Sequence, residues 1–294
     1  MSSIARILSV DLGNYNTKTS NKIIFESRFK ETDEVATGDE DIIEYNSRRY
    51  FMEQGQWDLD FNKVNKNYLP CLFYSIVKSF PKFNNINNLG LVLGLPLSQL
   101  KNKDKLKESL EGNTFNFKYK GKEKTISIAK VGIIGEGFSS IYTLSESERN
   151  EPILLVDIGG GTINVVEYLN GKVQRTKTLK YGMYRFYEDI WKEALSETRV
   201  EIEDVRGLLE SGRINNDIIA AELKANREFV ERLKNDLKVF DPEFKQVFFT
   251  GGGAMTLKDE LREQYQDCKF TNDLLFSNVL GNKILANALW GDEE

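Results

Sequence analysis

The stretch that most limits what this chain can become is Ile153-Leu154-Leu155-Val156-Asp157-Ile158-Gly159-Gly160-Gly161-Thr162. Its apolar run is too short for a membrane span and lacks helical spacing, so it reads as a buried strand that ends in an aspartate and a glycine cluster. Glycine permits turns with positive φ and lets backbone N–H groups come close to a ligand, while Asp157 at the strand end faces whatever binds there. That combination suits a phosphate and its metal ion. A tight turn between Leu155 and Val165 is the plainer alternative, and the rest of the chain has to decide.

The same design occurs near the start. Residues 4–10 read as a strand, and Asp11-Leu12-Gly13-Asn14-Tyr15-Asn16-Thr17-Lys18 supplies a turn rich in Gly and Asn, after which a returning strand is expected. Asp11-x-Gly13 is thus echoed by Asp157-x-Gly159, 146 residues further on. An echo at that distance suggests a duplicated α/β unit rather than a solenoid, whose periods are much shorter. Two facing halves would place both aspartates at one cleft. A third glycine stretch, Gly251-Gly252-Gly253-Ala254, follows an expected strand over residues 246–250 and precedes an expected helix over 257–265. Three glycines leave room for a flat group and offer N–H groups at the helix start, so a nucleoside would fit there. Finally, Gly135-Glu136-Gly137-Phe138 is expected to open a helix carrying Ile141, Tyr142 and Leu144. Glu136 would then sit at a helix N-terminus, where the dipole favours a carboxylate.

Composition removes several classes. The chain has 294 residues, enough for about two domains, and Pro152 after the polar stretch 148–151 marks the boundary between them. Its net charge of −5 argues against bare nucleic acid as the primary ligand. The basic stretches 101–107 and 118–124 are interrupted by Asp104 and Glu123 and read as solvated turns and a hairpin. With 0 histidines, His triads and His metal sites are excluded, so any catalysis must use carboxylates, hydroxyls, amines or a bound metal. The 2 cysteines suggest neither a disulfide framework nor a zinc cluster and fit a reducing, cytoplasmic setting. Residues 1–10 lack a small-residue cleavage site, and no segment has the apolar length of a membrane helix, so neither export nor membrane insertion is expected.

Elsewhere, residues 68–80 carry apolar side chains at helical spacing up to Pro81, and residues 89–95 read as a buried strand. Residues 31–40 are expected to be an exposed acidic loop, 42–52 edge strands, 84–88 an Asn-rich loop and 131–134 a short strand. A hairpin is expected around Asn170-Gly171, followed by helical stripes within 183–240 and an apolar helix over 278–290.

Taken in order, strand-Asp-x-Gly, strand-Asp-x-Gly-Gly-Gly-Thr and strand-Thr-Gly-Gly-Gly-Ala resemble the first phosphate loop, second phosphate loop and adenosine loop of the actin, sugar-kinase and heat-shock-chaperone ATPase superfamily. Within it, Gly94 to Leu97, Phe270-Thr271-Asn272-Asp273 and Asn278-Val279-Leu280-Gly281-Asn282 are similar to segments of the bacterial actin-like plasmid-segregation ATPases of the ParM type and relatives such as AlfA. The resemblance covers nearly the whole chain. It implies an α/β, actin-like ATPase fold with two duplicated α/β domains around a nucleotide cleft. Domain I would span 1–150, with a C-terminal helix within 276–294 packing back on it; domain II would span 151–275 with a short helical insertion at 183–240.

The resemblance also assigns roles. Asp11 and Asp157 would hold Mg²⁺ through its waters, and Glu136 would orient or activate the attacking water. Gly13, Asn14, Tyr15 and Asn16, with Gly159, Gly160, Gly161 and Thr162, would cradle phosphate oxygens, and Lys18 would contact the β-phosphate. Gly251, Gly252, Gly253 and Ala254 would take the nucleoside. The implied cofactors are ATP, with GTP as the alternative, and Mg²⁺. The implied partners are further copies of the chain, in a filament, and a DNA-binding adaptor on a centromere-like site, with no direct specific nucleic-acid binding and no membrane. A small-metabolite kinase of the same fold and a non-hydrolysing structural filament protein remain the alternatives.

Overall fold

The computed structural model describes residues 4–33, 38–58 and 66–291. Residues 34–37 of the expected acidic loop, and 1–3 and 292–294 at the termini, therefore lie outside the described residues. The chain divides into two compact units, Met1–Ser145 with Leu275–Glu294, and Glu146–Leu274.

The first unit is built on β1 (Arg6–Leu12), β2 (Asn16–Thr19), β3 (Ile24–Glu26), β4 (Arg28–Glu31), β5 (Ile42–Tyr45), β6 (Arg48–Trp57), β7 (Asn85–Leu95), β8 (Thr114–Tyr119) and β9 (Lys122–Gly135). Among the described residues these form one nine-stranded sheet in the order β3-β2-β1-β7-β9-β8-β5-β6-β4. The strands β1, β7 and β9 run parallel, and the other pairings are antiparallel. Helix α1 (Leu69–Ser79) carries Leu72, Phe73, Tyr74 and Ile76 into a core shared with Leu8 and Val10 of β1 and Leu91 and Leu93 of β7. Helix α2 (Lys103–Glu108) adds Leu106. The C-terminal helix Ser277–Trp290 also belongs to this unit. Gly90 and Gly132 make way for its Trp290, since a Cβ on Gly132 would stand 3.0 Å from the indole.

Several expectations are corrected here. The Asn-rich segment is not a loop: β7 begins at Asn85, its pairing with β9 shifts register between Ile86 and Gly90, and Asn88 absorbs the irregularity at φ 54°. Buried Ile86 anchors that end. Strand β5 is internal, between β8 and β6, and the edge belongs to β4. Residues 131–134 are the last part of a 14-residue strand, and 101–107 lie in a 3₁₀ turn (Leu97–Asn102) and in α2.

The second unit holds a five-stranded sheet in the order β12-β11-β10-β13-β14, from β10 (Ile153–Ile158), β11 (Ile163–Leu169), β12 (Lys172–Leu179), β13 (Gln246–Thr250) and β14 (Lys269–Phe270). All six residues of β10 are buried, as a central strand parallel to β13 and antiparallel to β11 requires. Asn170 and Gly171 turn the β11–β12 hairpin with φ 49° and 69°, the positive pair of a type I′ turn. After the short α3 (Glu146–Arg149), helices α4 (Met183–Ala194), α5 (Ile202–Ser211) and α6 (Asn216–Leu237) pack through Phe186, Ile190, Val205, Phe229 and Leu233. Gly212 ends α5 in the left-handed region at φ 67°, and the Asn215 side chain caps α6 by accepting from the Ile218 N–H at 3.0 Å. Helices α7 (Gly251–Thr256) and α8 (Lys258–Gln264) complete the unit.

Candidate functional site

Loop 1 grows from β1. Asp11 is the penultimate residue of that strand and lies opposite Lys18 of β2; directly opposed residues of an antiparallel pair share a face, so the carboxylate and the ammonium stand on the same side of the sheet. The turn closes tightly, because a Cβ on Gly13 would stand 2.5 Å from the Asn16 carbonyl oxygen. Side chains and backbone from farther along then hold the turn in place. The Tyr15 carbonyl accepts from the Ser27 N–H at 2.7 Å and from the Trp57 indole at 3.1 Å, whose ring meets that of Tyr15 edge-on. Asn14 accepts from the Lys66 ammonium at 2.9 Å. Beneath the loop lies a cavity of about 80 Å³ lined by Leu12, Gly13, Thr17, Phe29, Cys71 and Leu93. Burial pushes the Cys71 thiol up to about 12.

Loop 2 repeats this plan. Asp157, buried, is the penultimate residue of β10 and lies opposite Asn164 of β11, itself buried and accepting from the Thr178 hydroxyl at 2.9 Å. The Gly159 N–H donates to the Thr162 carbonyl at 2.9 Å and closes the turn. The carbonyls of Gly159 and Gly160 accept from the N–H groups of Met183 and Tyr184 at 3.0 and 2.8 Å, so the first turn of α4 is bonded to the loop itself. This contact needs Gly182, whose Cβ would otherwise meet the Gly159 oxygen at 2.5 Å.

The third glycine stretch departs from expectation. Gly251, Gly252 and Gly253 are the opening turn of α7 rather than a loop before a helix. Gly251 has φ 88°, and a Cβ there would collide with the Asp157 carboxylate and the Ile158 carbonyl; one on Gly253 would collide with the Ile158 side chain. Two of the three glycines thus let α7 lie against β10, and Ala254 is fully buried. Gly252 is the half-exposed member. The N–H of Gly251 donates to the Leu274 carbonyl at 2.9 Å, and the Thr250 hydroxyl shares a hydrogen bond of 2.8 Å with Thr271.

Glu136 is not at a helix N-terminus. It follows β9 in a turn, and the next regular element is a short 3₁₀ helix, Ser139–Thr143. Its N–H donates to the Leu95 carbonyl at 2.8 Å and its stem lies over Gly94, where a Cβ would be 3.4 Å from the Glu136 Cγ. The structure therefore brings Asp11, Gly13 to Asn16, Lys18 and Glu136 into the first unit, and Asp157, Gly159 to Thr162 and Gly251 to Ala254 into the second.

Among the described residues, no group of three or more His, Cys, Asp or Glu is placed to hold an ion. The oxygen donors of Asp11 and Asp157 nevertheless suit Mg²⁺, which keeps much of its water and takes few carboxylates alongside phosphate oxygens. Sequence reasoning did not single out Gly182 or Asn164 as supports. Gly182 immediately before an apolar helical stripe was the available signal for the first; Asn164 was visible only as the counterpart of Lys18.

Residues 9–138 match the family model described as the actin-like proteins' N-terminal domain. Nearly all of the chain superposes on solved structures of that kind. The archaeal actin homologue Ta0583 in complex with ADP is 16% identical, with 96% of this chain and 99% of that one covered and a TM-score of 0.78. The fold is that of the actin-like proteins. Alp12, solved as a filament, is 20% identical over 97% and 98% of the two chains at a TM-score of 0.70. A ParM from Clostridium botulinum, solved as a 15-stranded filament, is 18% identical over 98% and 100% at 0.76. No curated protein matches the chain. Among the described residues, no helix is long and apolar enough to cross a membrane.

Proposed function

We propose that the chain is a nucleotide-dependent, filament-forming ATPase that segregates DNA through a DNA-binding adaptor. The observation that carries this reading is the doubled strand-Asp-turn-strand with one register, Asp11 opposite Lys18 and Asp157 opposite Asn164, on an actin-like fold. Support also comes from what its structural neighbours are: one holds ADP, and two were solved as filaments.

In this reading, the turns Gly13 to Asn16 and Gly159 to Thr162 cradle phosphate oxygens, Lys18 neutralises the β-phosphate, and Gly251 to Ala254 flank the nucleoside. Asp11 and Asp157 would hold Mg²⁺ through its waters, and the ion would offset charge on the phosphates. Glu136 orients one water toward the γ-phosphate and accepts its proton. The acidic balance of the chain, net −5, leaves duplex DNA to a basic partner.

Pelleting and phosphate release measured with ATP, GTP, ADP and no nucleotide test the reading. It expects sedimenting polymer and released phosphate with a nucleoside triphosphate and Mg²⁺, and little polymer with ADP. Absence of polymer under every condition would overturn it. Duplex DNA should be bound specifically only when the adaptor is added; specific binding by the purified chain in physiological salt would overturn the adaptor assignment.

A further inference from the structure

We propose that Asn278, at the start of the C-terminal helix, is a positioning residue for Glu136. The inference rests on the reading of Glu136 as the group that activates water. Asn278 reaches the turn after Glu136 in three ways. Its side-chain oxygen accepts from the Gly137 N–H at 3.1 Å and from the Ser140 hydroxyl at 2.6 Å, and its carbonyl accepts from the Ser139 hydroxyl at 3.0 Å. Ser277 adds a hydroxyl contact of 3.1 Å to Ser140. This close approach depends on Gly281, one turn later, because a Cβ there would run into the Ser139 carbonyl.

These bonds complete a clamp on a single residue. On one side of Glu136 its own N–H is tied to the Leu95 carbonyl at 2.8 Å, and on the other the next N–H, that of Gly137, is tied to Asn278. Gly137 has φ 83°, so this peptide could swing if its N–H lost its partner. Both ends of the Glu136 backbone are thereby fixed, and with them the origin of its side chain. A carboxylate carried on a turn rather than on a helix needs such a support, because displacement by about an ångström can lower a rate about a hundredfold.

The test is a double-variant cycle on steady-state ATP hydrolysis, with nucleotide affinity measured in parallel. Asn278→Ala should lower kcat about tenfold to a hundredfold while KM and nucleotide affinity stay near the parent values. Asn278→Asp keeps an acceptor of the same shape and should recover most of the rate. In a Glu136→Gln background, Asn278→Ala should lower the residual rate no further, because the group it positions is already gone. Should Asn278→Ala fail to fold, Ser140→Ala removes the hydroxyl donor alone and should show a smaller loss with the same non-additivity. Equal losses with and without Glu136, or a loss in affinity in place of kcat, would overturn the role of Asn278 while leaving Glu136 in place. A Glu136→Gln variant as fast as the parent would overturn both assignments.

Discussion

Residues 11–18 and 157–164 share a register: in each, an aspartate near a strand end lies opposite a residue at the same spacing on the returning strand, Lys18 in the first and Asn164 in the second. In each, a glycine two residues after the aspartate comes close to the carbonyl three residues further on. Their supports differ. In loop 2 the carbonyls of Gly159 and Gly160 are bonded to the first turn of α4 past Gly182. Loop 1 is held by Trp57 and Lys66 side chains and the Ser27 N–H. The same backbone plan is therefore fixed by different means in the two loops, with a lysine opposite the aspartate in the first and an asparagine in the second.

If the two loops serve one nucleotide, the aspartates should be equally indispensable. Asp11→Ala and Asp157→Ala should each lower Mg²⁺-dependent phosphate release by about a thousandfold or more, on the scale of several kcal/mol of lost charge stabilisation. Near-normal turnover in either variant would break the equivalence.

The glycines should separate the loops. A Cβ on Gly13 would stand 2.5 Å from backbone oxygen, against 3.0 Å for one on Gly159, so Gly13→Ala must move the turn and Gly159→Ala need only strain it. Thermal melts should place Gly13→Ala at about 1–3 kcal/mol of destabilisation, the range for overpacking, and Gly159→Ala below it. The reverse order would show that the helix-bonded loop is the less tolerant one.

Lys18 and Asn164 occupy equivalent positions and should fail differently. Lys18→Met should weaken nucleotide binding about tenfold, close to the value of a hydrogen bond to a charged group, with little change in melting. Asn164→Ala should instead lower stability by about 0.5–1.5 kcal/mol, since it removes a buried amide and the acceptor of the partly buried Thr178 hydroxyl. Calorimetry on both variants decides; a matching loss of affinity would make the two positions functional equals.

The smallest effect concerns the thiols, one per unit. Cys71, beneath loop 1, has its pKa pushed up to about 12 by burial, and the partly exposed Cys268 is raised by burial as well. A thiolate-selective reagent at pH 8 should modify Cys268 first and leave Cys71 intact in the folded protein. Labelling of Cys71 should appear only on denaturation or as the pH approaches its raised pKa. Early labelling of Cys71 would show that loop 1 opens readily.

The frame was legible because it rests on local pattern. The apolar run of β10, the Asn170-Gly171 turn and the strand 246–250 are set by residues adjacent in the chain, and each lies where the pattern put it. What escaped depends on partners distant in sequence. The Asn-rich segment becomes strand because Ile86 finds a buried place beside β9, which polarity alone does not reveal. Gly251 and Gly253 read as room for a ligand, yet a Cβ on either would collide with β10. Glu136 read as a helix start because Ile141, Tyr142 and Leu144 follow it; Gly137 instead takes a positive φ in a turn that Asn278 holds from 141 residues away. The glycine inside the last helix, Gly281, was the one sequence sign of that contact.

The central claim, that these loops bind a triphosphate whose hydrolysis limits the life of a polymer, is tested most directly by light scattering and phosphate release recorded together after a limiting pulse of ATP with Mg²⁺. The account predicts a signal that rises and then decays as phosphate accumulates in the parent, and a signal that rises and persists in Glu136→Ala, whose hydrolysis should be slower by about a hundredfold or more. Equal decay in both would remove Glu136 from the timer, and phosphate release without any rise in scattering would contradict the claim.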